Sequence, residues 1–224
     1  MPLRKIPLIS GEVYHVFNRT VSRELLFHSR REYTYFIRSF EYYHFCEPPI
    51  RFSRYLETEK DTRIDWLISL YLTGKTLVDI YAFCLMPNHF HFLLKQNTDG
   101  GISNFTRLLQ NSYARYLNIK MARHGSLFQS PFKAVRVTKD AELLHVARYI
   151  HLNPLTSFVI KDFSELQGYE WSSYGDYVSE IGRRFIKSSP ILDMYKDKTE
   201  LIAFTKDNMD HKRDLDEIKH ILID

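Results

Sequence analysis

The sequence predicts an α+β domain built on one mostly antiparallel β-sheet with helices packed against it. Short segments rich in β-branched and aromatic residues, typical of strands, alternate with longer segments whose apolar residues recur at helical spacing. Two of the strand segments are separated only by Pro87-Asn88, a pair that favours a tight turn and therefore a hairpin. The composition of the 224 residues, 44% hydrophobic and 26% charged, is that of an ordinary globular protein.

The first part of the chain predicts a strand, a helix and an insertion. Residues 13–18 (VYHVFN) have the β-branched and aromatic character of a strand. Residues 31–43 carry apolar side chains at the spacing of one helix face, so we expect a helix there. Residues 46–75 contain Pro48-Pro49 and the charged run EKDTR, and we interpret them as a partly helical insertion between core elements.

The middle of the chain predicts a hairpin and a long helix. Residues 77–86 (LVDIYAFCLM) are nearly all apolar, which favours a central strand, and residues 89–95 (HFHFLLK) form the strand after the turn. After Gly100-Gly101, Ser103 is the expected N-cap of a helix. That helix is expected to end near Gly125, since glycine is favoured just after a helix.

The last core elements are a short strand and a helix. Residues 132–137 are expected to be a strand, and Asp140 is expected to cap a helix that Pro154 ends. We assign residues 1–180 to one domain with the insertion at about 46–75. Residues 181–224 are expected to be a C-terminal helical extension, whose acidic part forms one or two short surface helices.

The positive charge is concentrated in one part of the chain. The net charge is only +4, but residues 101–150 hold eight Lys and Arg against two acidic residues. Cations interleaved with Tyr and Phe are typical of a surface that binds nucleic acid. A solvated helix face that happens to be basic explains the same count, so charge alone does not separate the two interpretations.

The sequence argues against membrane insertion and secretion. No segment approaches the roughly 18 consecutive apolar residues of a membrane-spanning helix. The N-terminal residues lack the apolar core of a secretory signal. Cys46 and Cys84 are too few for a disulfide framework and are expected to be buried free thiols. We therefore expect a cytoplasmic protein with no membrane partner.

Two histidines form the first candidate chemical group. Alternation along a strand places His89 and His91 on one face and Phe90 on the other. Two imidazoles on one face can converge on one divalent ion, while Phe90 anchors the strand in the core. Two histidines on an exposed sheet face, or one in the core and one on the surface, fit the same three residues.

A tyrosine in the last predicted helix forms the second candidate group. In RYIHLNP (148–154), Tyr149 lies one turn after His145 and one turn before Asn153, so the three share a helix face. The apolar stripe lies largely elsewhere, which leaves Tyr149 facing a groove or solvent. A boundary tyrosine without chemical function fits this position equally well.

Together these features resemble the single-tyrosine HUH transposase family, which is the IS200-like family, and most closely its REP-associated tyrosine transposases. The segment with the most specific resemblance is YAFCLMPNHFHFLLK (81–95), which contains Met-Pro-Asn-His-Phe-His. The other segments occur in the expected order and are GEVYHVFNR (11–19), NSYARYLN (111–118), HGSLFQSPFKAVRV (124–137), RYIHLNP (148–154) and WSSY (171–174).

The resemblance implies a ferredoxin-like HUH endonuclease fold and a metal-dependent transposase-like reaction. His89 and His91 match the HUH motif and would hold Mg²⁺ or Mn²⁺. Asn153 stands where insertion-sequence relatives have a metal-binding Gln, and Tyr149 matches the nucleophile. Tyr149 would attack single-stranded, hairpin-forming DNA and form a 5′-phosphotyrosine. The expected contacts with the DNA backbone are those of Arg115, Arg123, Lys133 and Arg136.

The sequence leaves several alternatives open. The chain can be a monomer or a homodimer, so Tyr149 can serve its own metal site or that of a partner. A catalytically silent protein that binds DNA hairpins would use the same fold. A structural zinc site at His89 and His91 would need further ligands. An RNA-binding module with a stacking sheet would not need Tyr149.

Overall fold

The computed structural model describes residues 7–207. Their core is a fully antiparallel four-stranded sheet in the order β2-β3-β1-β4. The strands are β1 Val13–Arg19, β2 Val78–Met86, β3 His89–Gln96 and β4 Lys133–Val137. The predicted α+β class and the predicted hairpin are confirmed.

Helices connect and cover the strands in the predicted order. They are α1 Arg30–Tyr43, α2 Phe52–Glu57, α3 Lys60–Thr73, α4 Gly101–Lys120, α5 Asp140–Thr156, a 3-10 helix Phe163–Gly168, α6 Tyr174–Val178, α7 Ser189–Leu192 and α8 Lys198–Asp207. The predicted insertion is partly helical, since it contains α2 and α3. The short C-terminal helices α7 and α8 are also present, whereas residues 208–224 of the predicted extension lie outside the described residues.

The two faces of the sheet carry different helices. On one face, rings of α1 and α4 pack on Phe92: Phe40 at 5.1 Å and Phe105 at 5.8 Å between ring centroids. Helix α5 contacts β2 and β3 from the other side. Because Phe90 points to α1, where it meets Phe36 at 5.5 Å, the histidines on either side of it point to the face that α5 partly covers.

Strand β2 lies at the edge of the sheet, so the prediction of a central strand is wrong. Its apolar character has another cause, because residues 171–187 cover the edge that no strand pairs with. The Leu85 N–H donates to the Trp171 carbonyl at 2.8 Å, and the Ser173 N–H donates to the Phe83 carbonyl at 2.9 Å. The Lys187 N–H donates to the Ile80 carbonyl at 2.9 Å. Because β2 is buried on both faces and along its edge, its sequence is as apolar as that of a central strand.

Helix α4 begins and ends earlier than predicted. Its N-cap is Gly100, at a φ of 68°, and not Ser103, which lies within the first turn. Glycine is also required at position 101, because a Cβ there would lie 2.3 Å from the carbonyl oxygen of Leu77. At the other end the helix stops at Lys120, and Gly125 takes its left-handed conformation, at a φ of 92°, in the following loop.

Helix α5 runs past the proline that was expected to end it. Its N-cap is Lys139, and Asp140 is the first helical residue. Pro154 lies inside the last turn, where it removes one N–H donor. The next turn is still hydrogen-bonded, since the Ser157 N–H donates to the Asn153 carbonyl at 3.0 Å. A proline this close to a helix end therefore costs one hydrogen bond without stopping the helix.

Two further expectations concern the thiols and the membrane. Both cysteines are free, Cys84 being buried and Cys46 half-buried. Among residues 7–207, no helix is both long and apolar enough to cross a membrane.

The proposed domain boundary at residue 180 stays a prediction. Chain on both sides of it contacts the core, since Trp171 bonds to β2 and Phe185 packs on Phe40 at 5.4 Å.

Candidate active site

Strand β3 presents two histidine rings on the sheet face that α5 partly covers. His89 and His91 lie with ring centroids 4.9 Å apart and ring planes at 83° to each other. Phe90 points to the opposite face and packs on Phe36. The alternation predicted for these three residues is confirmed, and the two imidazoles are close enough to face one ligand.

Hydrogen bonds orient both rings. The Nδ1 atom of His89 lies 2.6 Å from the side-chain oxygen of Asn88 in the β2–β3 turn. The Nδ1 atom of His91 lies 2.9 Å from Nε2 of His15 on β1. Neighbours that engage one imidazole nitrogen are typical of histidines that bind metal through the other.

The environment of His91 suits a neutral imidazole that binds a ligand through Nε2. This atom is buried and has no hydrogen-bond partner among the residues that the structure describes. Burial, and then the charges of His15, His89 and Arg19, hold the pKa of His91 well below its usual range. With a proton on Nδ1 donated to His15, the Nε2 lone pair of His91 is available to a cation.

Helix α5 places Tyr149 against the same histidines. Its ring meets the His91 ring edge-on, with centroids 5.6 Å apart and planes at 88°. It meets the His15 ring in a similar way, at 5.9 Å and 77°. Tyr149 is half-buried, so its ring is held by packing without being sealed from solvent. The candidate nucleophile and the candidate metal ligands are therefore neighbours within one chain.

The other two residues on the predicted face of α5 point to different partners. Asn153 is buried one turn after Tyr149, and its amide nitrogen donates to the Tyr149 carbonyl at 3.2 Å. His145 instead accepts a hydrogen bond from Arg148 at 2.7 Å and has its ring 5.6 Å from that of Phe204 in α8. The role of Asn153 as a metal ligand stays a prediction.

The donor types of the residues predicted to hold the metal fit a divalent cation. The imidazoles of His89 and His91 supply nitrogen, and the Asn153 amide can supply oxygen, a mixture that suits Mn²⁺ and accommodates Mg²⁺. Within residues 7–207 there is no group of three or more His, Cys, Asp or Glu side chains arranged to hold a metal. Cys84 pairs with His91 across β2 and β3, but burial raises the pKa of its thiol well above the usual value.

Lys133 and Arg136, both predicted to contact DNA, lie on opposite faces of β4. Lys133 pairs with Phe17 and holds its ammonium group 5.5 Å from the Phe17 ring, on the histidine face. Arg136 points to the other face and forms an ion pair with Glu12 at 2.6 Å. Of these two cations, Lys133 is the one placed to meet a phosphate bound at the histidines.

The other two residues predicted to contact DNA lie away from the histidines. Arg123, in the loop after α4, forms an ion pair with Glu24 at 3.2 Å. Arg115 is exposed on α4, which packs on the opposite face of the sheet. The four cations predicted as one set therefore belong to different surfaces.

His15 and Arg19 are candidate functional residues that the sequence analysis missed. Strand alternation in VYHVFNR places His15, Phe17 and Arg19 on one face, so the sequence did contain this signal. What it lacked was the pairing of β1 with β3, which sets Arg19 opposite His89 and His15 opposite Leu93. Tertiary register therefore decides that this face of β1 extends the histidine site.

Comparison with known proteins identifies relatives by sequence pattern and by fold. The sequence pattern of the family described as transposase IS200 like matches residues 39–153. That range is just over half of the chain and includes His89, His91, Tyr149 and Asn153. No curated protein sequence matches the chain.

One solved structure with a similar fold is that of a REP-associated tyrosine transposase bound to a REP hairpin. The TM-score is 0.54 at 13% sequence identity, over 83% of this chain and 90% of that chain. At this identity the likeness concerns the fold, and it confirms the expected HUH architecture.

Proposed function

Because this chain belongs to the IS200-like transposase family, we propose that it cuts and rejoins single-stranded DNA that folds into hairpins, with Tyr149 as the nucleophile. The observation that carries the proposal is the position of the Tyr149 ring, edge-on to His91 and next to the His89–His91 pair. The hairpin bound to the structurally similar transposase supports a hairpin as the DNA partner.

The reaction is a transesterification that conserves the number of phosphodiester bonds. The Tyr149 hydroxyl oxygen attacks a backbone phosphorus, and a bond forms between this oxygen and the 5′-phosphate. The bond to the 3′-oxygen breaks, and the phenolic proton is balanced by the proton that the leaving 3′-hydroxyl gains. Attack by another 3′-hydroxyl on the phosphotyrosine reverses the step and joins two strands without ATP.

The residues of this chain position the reacting groups. In the proposed arrangement, a proton on Nδ1 of His91 is donated to His15 and leaves Nε2 for the ligand, while Asn88 contacts Nδ1 of His89 and orients its ring. Arg19 and Lys133 lie on the same sheet face, where they would bind the charged phosphate. A bound Mg²⁺ or Mn²⁺ would polarise a non-bridging phosphate oxygen and stabilise the charge that develops on it.

The proposed nucleophile and the paired histidines lie together within one chain. Tyr149 comes from α5, the paired histidines come from β3 and His15 comes from β1 of the same molecule. We therefore propose that Tyr149 serves the histidines of its own chain and that a monomer is sufficient for cleavage. A DNA substrate also requires that the protein act in the compartment that holds the genome, and we propose the cytoplasm as that place.

The decisive experiment is to trap the covalent intermediate. The chain is incubated with hairpin-forming single-stranded DNA and Mn²⁺, and the mixture is separated on a denaturing gel. We expect the wild-type chain to form a protein–DNA adduct that does not form in EDTA. In Tyr149→Phe the yield of adduct should be at least 10³-fold below that of the wild type, because the nucleophile is lost.

Tyr195→Phe is the matched control for the loss of a tyrosine hydroxyl. Tyr195 packs on Phe204 of α8, and this variant should form adduct at the wild-type level. If DNA binds tightly but no adduct forms in any condition, the chain is a hairpin-binding protein on a transposase fold. An adduct that survives in Tyr149→Phe would assign the nucleophile to another residue.

A further inference from the structure

The insertion builds one wall of a large basic groove on the opposite side of the molecule from the histidines. The groove has a volume of about 1100 Å³ and lies between α1, α2, the start of α3 and α4. Arg51 precedes α2, Arg54 lies within it and Arg63 lies in α3. The facing wall consists of Arg31 and Arg38 on α1, and of Arg107 and Arg115 on α4.

The charge of this groove is far above that of an ordinary protein surface. Arginine accounts for 8 of the 20 lining residues, and the single carboxylate among them is Glu57. The whole chain has 31 Lys and Arg in 224 residues, so the lining is enriched about threefold in cations. Like charges held this close repel each other, and a polyanion would relieve the repulsion.

Most of these arginines form no ion pair within the part of the chain that the structure describes. Arg30 pairs with Glu170 at 2.6 Å, and Arg63 donates to the Leu56 carbonyl at 3.0 Å. Within residues 7–207, five others make no ion pair closer than 4 Å: Arg31, Arg38, Arg51, Arg54 and Arg115. All five are exposed, so their guanidinium groups are available to a partner.

The chemistry of the lining favours a phosphate backbone over unpaired bases. Every lining cation is arginine, whose planar fork binds phosphate through two hydrogen bonds. Of the aromatic residues in the lining, Tyr43 and Phe52 are buried, and the half-buried rings of Tyr35 and Tyr116 stack on each other at 4.0 Å. Single-strand binding surfaces instead present aromatic faces on which bases stack.

We propose that this groove binds the phosphate backbone of double-stranded DNA, and that the insertion exists to supply its second wall. The proposal rests on the proposed function for its DNA partner, and it adds a place on the chain for the paired part of a folded strand. Helices α1 and α4 separate the groove from the sheet, because their aromatic side chains pack on Phe90 and Phe92. The groove is therefore a different surface from the one at Tyr149.

The test measures DNA binding and its salt dependence in a Tyr149→Phe background, which prevents cleavage. One variant is Arg51→Gln/Arg54→Gln on the insertion wall, and a second is Arg31→Gln/Arg38→Gln on the α1 wall. The matched control is Lys161→Gln/Lys196→Gln, which removes two exposed cations outside the groove. The probes are a DNA stem-loop and an unpaired strand of the same length. The unfolding midpoint of each variant is measured to check that the variant is folded.

We expect each groove variant to bind the stem-loop at least tenfold more weakly than the control variant at about 150 mM salt. The slope of log affinity against log salt should decrease by about 2, because two phosphate contacts are lost. Affinity for the unpaired strand should change less than threefold, and polyglutamate should not displace the stem-loop.

Three results would overturn the proposal. A groove variant that binds the stem-loop like the control variant would exclude this surface. An equal loss for the stem-loop and the unpaired strand would exclude selection of the duplex. Displacement by polyglutamate at a matched charge concentration would assign the groove to an acidic protein. Adduct formation by the wild-type chain and by Tyr149→Phe on hairpin-forming DNA tests Tyr149 separately, so either proposal can fail alone.

Discussion

The hydrogen bond between His15 and His91 engages Nδ1 of His91 and leaves Nε2 of that ring without a hydrogen-bond partner among the described residues. At 2.9 Å between buried atoms, this contact holds the orientation of the His91 ring, and a proton on Nδ1 of His91 would leave the Nε2 lone pair for a cation. Tyr149, the proposed nucleophile, packs edge-on against both of these rings. We therefore regard His15 as a positioning residue, which acts on metal and substrate through His91.

Replacing His15 separates this role from a purely structural one. His15→Phe keeps a ring but removes the acceptor for the His91 N–H, so Mn²⁺ affinity should fall roughly 10- to 100-fold. His15→Gln restores an acceptor and should recover at least part of that loss. Titration of Mn²⁺ into the DNA-free protein measures the effect. Equal affinities in the Phe and Gln variants would show that the hydrogen bond has no such role.

Lys133 and Arg136 provide a matched pair for testing the two faces of β4. Lys133 lies on the histidine face, whereas Arg136 is on the other face and bound to Glu12. Lys133→Gln should lower kcat/KM for adduct formation roughly tenfold, since a hydrogen bond to a charged group contributes about 1.5–3 kcal/mol. Arg136→Gln should change it less than twofold. A larger effect at Arg136 would place the scissile strand on the opposite face.

For single strands and helices, some local sequence patterns were sufficient to predict the structure and others were not. The strand identity of HFHFLLK and the common face of His89 and His91 follow from alternation alone, and both could be predicted. The position of β2 could not, because covering residues about 100 positions later make an edge strand as apolar as a central one. The prediction that Pro154 ends α5 failed for a similar reason. The effect of a proline on a helix depends on how near the helix end lies, and other parts of the fold set that end.

The start of α4 depends on the close approach of two backbones. In Gly101→Ala the new Cβ would lie 2.3 Å from the Leu77 carbonyl oxygen, so the helix or the strand must shift. We expect the free energy of unfolding to fall by about 1–3 kcal/mol, the usual cost of overpacking a buried position. Gly168→Ala is the control, because a Cβ at that position would meet no atom of the described residues within 4 Å. Urea denaturation of both variants measures the difference.

For the whole molecule, buried neutral histidines make stability depend on pH. Burial lowers the pKa of His44 to about 4 and that of His151 to about 3. The unfolded chain takes up these protons near pH 6.5, whereas the folded chain does not, so stability decreases as the pH falls below about 6.5.

The expected loss is about 2 kcal/mol per histidine between pH 7 and pH 5. Urea denaturation at the two pH values, in EDTA, measures the change. His151→Gln keeps a hydrogen-bonding group near Ser173 but cannot take up the proton, so its change should be smaller by about 2 kcal/mol. A variant with the same change as the wild type would show that His151 does not contribute.

The cover over the edge of β2 also has a consequence for the order in which the protein is made. Strand β2 ends at Met86, but the residues that close its edge, 171–187, are about 100 positions further along the chain. At a synthesis rate of about 5–20 residues per second, the ribosome needs roughly 5–20 s to release them. During that interval the nascent sheet exposes an apolar strand with unpaired backbone groups, which is an edge prone to aggregation. The C-terminal part of the chain thus ends a period in which the newly made protein is prone to aggregation.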